Sequence, residues 1–195
     1  NLNRDCTLPP DASHRQFRFR LPNGSFKKMD KRISDSEELK QQLNKYNPVD
    51  VYVGISCWLN PELVGAKRLQ KVGWKHLRLC LLKSDYFMDF DAKDYVNGLN
   101  GAFKVMGGAW EILKENYDDF TFVRTGKGLH LYCHDWYDSL PKKIGAVQDR
   151  IEYVRQMKEK LTHELAQKLS ISQAAELVKK DFPFDLPQST NPFQI

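Results

Sequence analysis

The chain has 195 residues, with 30 Lys and Arg against 25 Asp and Glu for a formal charge of +5, and is 41% hydrophobic and 12% aromatic. With a mean hydropathy of −0.59 this is the composition of an ordinary globular protein, long enough for one sizeable core or one domain with an appended lobe. No apolar run approaches the roughly 20 residues that span a bilayer, and the opening stretch NLNRDCTLPPDASHRQ lacks the apolar centre of a signal peptide, so the expectation is an intracellular protein without a membrane partner.

Gln16 to Arg20, QFRFR, alternates apolar and basic residues, which predicts a half-buried strand ending at the turn Pro22-Asn23-Gly24. Ser34, followed three residues later by Glu37, forms a capping-box pattern ahead of a short amphipathic helix in SDSEELKQQLNKY. VDVYVGI predicts a second strand, LRLCLL a short third and YFMDF a fourth. From Ala66 to Lys83 there are six basic residues, Lys67, Arg68, Lys71, Lys75, Arg78 and Lys83, with Trp74 among them and no acidic residue. Such a run either tracks a phosphate backbone or forms a solvated basic face.

Between Tyr95 and Asn116, Leu99, Phe103, Met106, Trp110 and Leu113 follow a helical period, and Gly107-Gly108 predicts a kink or break within it. FTFVR and LHLYC predict a strand pair around the loop TGKG. Lys142 to Leu169 reads as a long helix, with Ser170 and Gln173 capping a shorter one to Lys180. The tail FPFDLPQSTNPFQI, with three prolines, reads as extended or turn-like. No internal repeat or interdomain linker stands out. Cys6, Cys57, Cys80 and Cys133 form no CxxC pair, so neither a disulfide framework nor a structural zinc is expected.

Three stretches could carry chemistry. In YFMDFDAKDY, strand alternation places Asp89 and Asp91 on one face and Met88 and Phe90 on the other. Two carboxylates one repeat apart in an apolar segment call for compensation, which a hard divalent cation with oxygen ligands supplies; the bland reading is a surface D-x-D. In VRTGKGLHLYCHD, Gly126 and Gly128 let the backbone approach a ligand, Lys127 offers a point charge suited to phosphate, and His130 could donate to a phosphate oxygen, although a strand histidine is more often structural. No P-loop or dinucleotide fingerprint is present. His130 should share a face with Tyr132 and His134, opposite Leu131 and Cys133, with Cys133 in the core. In FPFDLP, Asp185 read alone is a turn or helix-cap aspartate.

Taken in order, these stretches resemble the motifs of the archaeo-eukaryotic primase superfamily, in particular its catalytic small subunit. YFMDFDAKDY resembles the family's D-x-D strand, RTGKGLHLYCHD its Ser/Thr-Gly-basic-Gly-x-His turn, and FPFDLPQSTNPFQI its third, aspartate-bearing segment. HRQFRFRLPNGSFKKMDKRISDSEELKQQLNKYNPVDVYVGI is similar to its opening, so the likeness spans most of Arg15 to Ile195. The chain departs from the family in lacking ligand spacing for the usual zinc-binding insertion, in Gln194 where an arginine is usual, and in ending at Ile195, which suggests a trimmed catalytic core or a compact version.

The resemblance implies one catalytic domain over residues 1–195 with an α/β (α+β) fold, mixed or antiparallel sheets flanked by helices and the active-site cleft between them. It implies that Asp89, Asp91 and Asp185 hold two divalent ions, Mg²⁺ or Mn²⁺, and that Thr125, Gly126, Lys127, Gly128 and His130, with Arg32 and Lys83, bind the nucleoside triphosphate. Lys67, Arg68, Lys71 and Lys75 are the candidate nucleic-acid contacts. The implied activity is synthesis of short RNA or DNA primers on a single-stranded DNA template, with a large regulatory primase subunit as partner. The alternatives are a non-catalytic nucleic-acid-binding subunit of the same fold and a template-independent nucleotide hydrolase.

Overall fold

In a computed structural model of the chain, the described residues are 7–64, 81–140, 150–178, 183–185 and 189. They form an α+β structure of antiparallel sheets and three α-helices, divided between two compact units. The basic residues Lys67, Arg68, Lys71, Lys75 and Arg78 lie outside the described residues, as do Cys6 and Cys80, the first part of the long helix predicted from Lys142 and most of the tail. No helix among the described residues is long and apolar enough to cross a membrane.

The first unit takes in residues 7–64, 81–84 and 150. Its sheet has the order β2-β1-β3-β4, from β1 (Arg15–Arg20), β2 (Phe26–Lys28), β3 (Asp50–Trp58) and β4 (Leu81–Ser84), every neighbour antiparallel. Phe17 and Phe19, alternate residues of β1, are buried with Met29, Ile33 and Leu39 of α1 (Ser36–Tyr46). The β1 alternation fails at its start, where Arg15 and Gln16 are also buried. Arg15 tolerates this because its guanidinium donates to the carbonyls of Pro10 and Gly54, at 2.7 and 3.0 Å.

Helix α1 starts one residue later than the capping-box pattern suggests. Asp35, in extended conformation, accepts from the Glu38 amide at 2.8 Å, and the Glu38 carboxylate accepts in return from the Ser34 amide. The bond from the Glu38 amide makes Asp35 the cap, and two acidic residues, Glu37 and Glu38, stand in the first turn where the helix dipole favours them. The helix ends at Asn47, whose φ of 42° suits an asparagine closing a helix.

The second unit takes in residues 85–140, 151–178, 183–185 and 189. Its sheet has the order β5-β7-β6, from β5 (Tyr86–Asp91), β6 (Phe120–Arg124) and β7 (Gly128–Cys133). Tyr86, Met88 and Phe90 from β5 and Leu129, Leu131 and Cys133 from β7 are all at most 1% exposed on one face. Helix α2 (Leu99–Leu113) packs on these strands. Burying a side chain of this size contributes about 1.5–3 kcal/mol, so this apolar face is what holds the opposite, polar face of β5 in place.

Two expectations about the helices are corrected. Gly107-Gly108 does not break α2, which runs on through both residues, and a Cβ on Gly108 would lie 3.1 Å from Leu169 Cδ2, so the glycine admits a close neighbour. The buried face is Gly101, Ala102, Val105, Met106, Ala109 and Leu113, so Met106 and Leu113 of the predicted period face the core while Phe103 is 46% exposed. Ser170 caps no new helix either. It lies within α3 (Arg150–Ser172), after which comes a 3-10 turn at Ala174–Glu176. In α3, Lys158 is fully buried with its ammonium 5.7 Å from the Trp136 ring centroid, and Thr162 hydrogen-bonds the Tyr86 hydroxyl at 2.9 Å.

Candidate functional site

The pleat of β5 sorts its residues as the alternation requires. Phe87, Asp89 and Asp91 occupy the face opposite the core, Phe87 buried and the aspartates partly open, with side-chain exposures of 14% for Asp89 and 33% for Asp91. The β5–β7 register pairs Phe87 with Tyr132, Asp89 with His130 and Asp91 with Gly128, while β6 adds Val123 beside His130. The His130 Nε2 lies 3.4 Å from Asp89 Oδ1, and its ring meets Phe87 edge-on at 5.1 Å. Imidazole and carboxylate are therefore neighbours on one sheet face.

Gly128 has a structural reason. A Cβ there would lie 2.1 Å from the carbonyl oxygen of Phe90 and 3.0 Å from the Asp91 Cα, so no side chain fits. Gly126 has nothing within 4 Å of its would-be Cβ. In the turn between β6 and β7, the Thr125 hydroxyl accepts from the amides of Lys127 and Gly128, at 3.2 and 2.9 Å, and donates to the Gly128 carbonyl. In this conformation those two amides and that hydroxyl are bonded within the turn. Lys127 is exposed, and its carbonyl accepts from the Ala92 amide at 2.9 Å, tying the turn to the end of β5.

Asp185 joins this face through the backbone. Its amide donates to the Asp89 carbonyl at 3.0 Å. Sequence reasoning missed Lys93, whose ammonium is 2.8 Å from Asp91 Oδ2. That hydrogen bond and the Asp91 charge, followed by Asp94 and Asp185, hold the Lys93 ammonium above its usual range. The available signal was a lysine two residues past the D-x-D. Tyr95 was also missed. Burial first, then the charges of Asp94, Asp89 and Asp91, push its phenol well above the ordinary tyrosine range.

The donor chemistry fits a hard divalent cation: two carboxylates on one strand face, and a third borne by a residue whose amide is bonded to the first. Asp91 is meanwhile paired with Lys93, and among the described residues no three His, Cys, Asp or Glu side chains are gathered tightly enough to enclose an ion. A cation entering here must displace the Lys93 ammonium and draw the carboxylates together.

The other basic candidates belong to the first unit. Arg32 donates to the Leu59 carbonyl and the Asn60 side chain and lies 3.5 Å from Glu62, while Lys83 lies 3.9 Å from Asp11. Cys57 and Cys133 are buried free thiols. Burial, reinforced by Asp135, raises the Cys133 thiol far above the ordinary range, in keeping with a core residue. Below the sheet's far end, the buried His134 places Nδ1 3.1 Å from Asp85 and Nε2 2.9 Å from the Thr121 hydroxyl.

No protein-family model matches the chain, and no curated protein matches its sequence.

Proposed function

We propose that the chain is a primase-type nucleotidyltransferase that joins nucleotides on a single-stranded DNA template, acting inside the cell with Mg²⁺ or Mn²⁺ and a large regulatory subunit. The observation that carries the reading is the sharing of one face of β5 and β7 by Asp89, Asp91 and His130, with the Lys127 turn at its end and Asp185 bonded alongside. The fold agrees with the α+β expectation, and the order of the three sequence motifs supplies the reaction class.

Asp89, Asp91 and Asp185 would hold the cations, which when bound supply Lewis-acid activation of the attacking 3′-hydroxyl and neutralise charge on the triphosphate. His130, turned from Asp89 toward the nucleotide, donates a hydrogen bond to a phosphate oxygen. The exposed Lys127 ammonium brings positive charge to the same group, a positioning and electrostatic role. Thr125 and Gly128 act one step back: the hydroxyl fixes the turn, and the bare glycine lets β7 lie against β5.

A second reading is favoured by the Lys93–Asp91 pair. There the lysine permanently occupies the place of a cation, and the chain is a non-catalytic nucleic-acid-binding subunit. The two are separated by incorporation of labelled nucleotide on single-stranded DNA with Mg²⁺ or Mn²⁺, with and without primer, comparing the chain with Asp89→Asn. Template-dependent synthesis lost in the variant supports the polymerase. DNA binding without synthesis supports the second reading, and turnover indifferent to added DNA would point to a nucleotide hydrolase.

A further inference from the structure

Beyond β5 the chain passes through a 3-10 turn, Ala92–Asp94, into Tyr95, and the segment that follows α3 is stitched along it. Tyr95 and Leu177 form an antiparallel bridge, the Val96 amide donates to the Glu176 carbonyl at 2.9 Å, and the Val178 amide donates to the Asp94 carbonyl at 3.1 Å. The Glu176 carboxylate adds side-chain ties to Asn97 and Lys104, at 2.9 and 2.6 Å. Farther along, the Asp185 amide meets the Asp89 carbonyl, and the fully buried Ser189 donates its hydroxyl to the Asp185 carbonyl at 2.9 Å.

Tyr95 links these two sets of ties. It is 3% exposed, and its hydroxyl donates to the carbonyl of Pro183, two residues before Asp185. Phe184, between them in sequence, packs on Phe90 of β5 with ring centroids 5.9 Å apart. Helix α2 makes room for the tyrosine with Gly101, where a Cβ would fall 2.7 Å from Tyr95 Cβ. A phenylalanine would fill the same space. A buried hydroxyl is unfavourable unless bonded, so the feature to explain is the oxygen, and what it reaches is the backbone that bears Asp185.

We infer that Tyr95 is a positioning residue that fixes Asp185 beside Asp89 and Asp91 by holding the Pro183 carbonyl. Its functional weight rests on the reading of Asp185 as the third cation ligand. Without the hydroxyl, residues 183–185 keep the Phe184 contact, the Asp89 carbonyl and the Ser189 bonds to the Asp185 carbonyl as anchors, and lose the bond from Tyr95 to Pro183.

The test is Tyr95→Phe in the full chain, with three readouts: melting temperature, hydrogen exchange at the Asp185 amide, and Mn²⁺ affinity by electron paramagnetic resonance titration. Expected are a melting temperature lower than the parent's by only a few degrees, exchange at Asp185 faster by a factor between about two and ten for the loss of one buried hydrogen bond, and Mn²⁺ affinity reduced by a similar factor. Tyr95→Leu, which also removes packing, should lower the melting temperature further. Parent-like exchange at Asp185 in Tyr95→Phe overturns the inference whatever the metal does. Faster exchange in a chain that in its parent form binds no Mn²⁺ leaves the positioning intact and overturns the cation-ligand reading of Asp185.

Discussion

Replacing Gly128 by alanine isolates the contact on which the candidate site is built. A methyl there would sit 2.1 Å from the Phe90 carbonyl oxygen and 3.0 Å from the Asp91 Cα, and both obstacles are backbone that cannot rotate away. Strands β5 and β7 must therefore part by about 1 Å where Asp91 faces Gly128, at an overpacking cost of about 1–3 kcal/mol. Loss of one ladder hydrogen bond adds about 1 kcal/mol. A combined loss of about 2–4 kcal/mol corresponds to roughly 4–16 °C in melting temperature for a chain of this size. Gly126→Ala is the control: with nothing within 4 Å of its Cβ, it should stay within about 0.5 kcal/mol of the parent. Thermal unfolding followed by circular dichroism compares the two, and equal melting temperatures for Gly128→Ala and Gly126→Ala would refute the close-approach account of Gly128.

Lys93→Met removes the ammonium that a cation must displace from Asp91, so Mn²⁺ affinity should rise by about twofold to fivefold, the worth of a surface ion pair; a titration showing weaker binding contradicts competition between the two. The Lys104 and Asn97 bonds hold the Glu176 carboxyl below its ordinary value of 4.5. A depressed folded-state value means that this stabilisation is complete above about pH 4.5 and disappears as the pH falls through the lower folded value. The protection of the Val178 amide, its exchange rate relative to the intrinsic rate at each pH, should accordingly fall only on the acid side of that range, and Glu176→Gln should flatten the dependence.

Where a structural feature is local, the sequence reveals it. Alternation in QFRFR, YFMDF and LHLYC predicts which side chains of β1, β5 and β7 share a face, and the pairing of β6 with β7 around TGKG follows from the glycine-bearing turn between two β-rich runs. The site's shared face is legible for the same reason. Features that depend on distant partners are not. The glycine at position 108 lies where Leu169 of α3 approaches α2, and the period of α2 alone carries no trace of that helix. The helix cap was misplaced by one residue because Ser34 and Asp35 are both good caps, and only the bond from the Glu38 amide selects between them. Asp185 read alone is a turn residue, since its link to the acidic face is a backbone bond to Asp89, and a backbone bond leaves no signature in residue type.

That bond has a consequence for how the protein is made. Strands β5, β6 and β7 can pair once Cys133 has left the ribosome, but among the described residues β5 is an outer strand of its sheet, and such a margin invites pairing with other chains. Among the described residues it is the amide of Asp185, synthesised later, that meets this margin at Asp89. During the interval a nascent chain that has paired these strands carries Asp89 and Asp91 on one face of a strand that Asp185 has not yet met. Translation thus assembles the acidic face in two instalments, and the second one both shields the sheet and delivers the third aspartate.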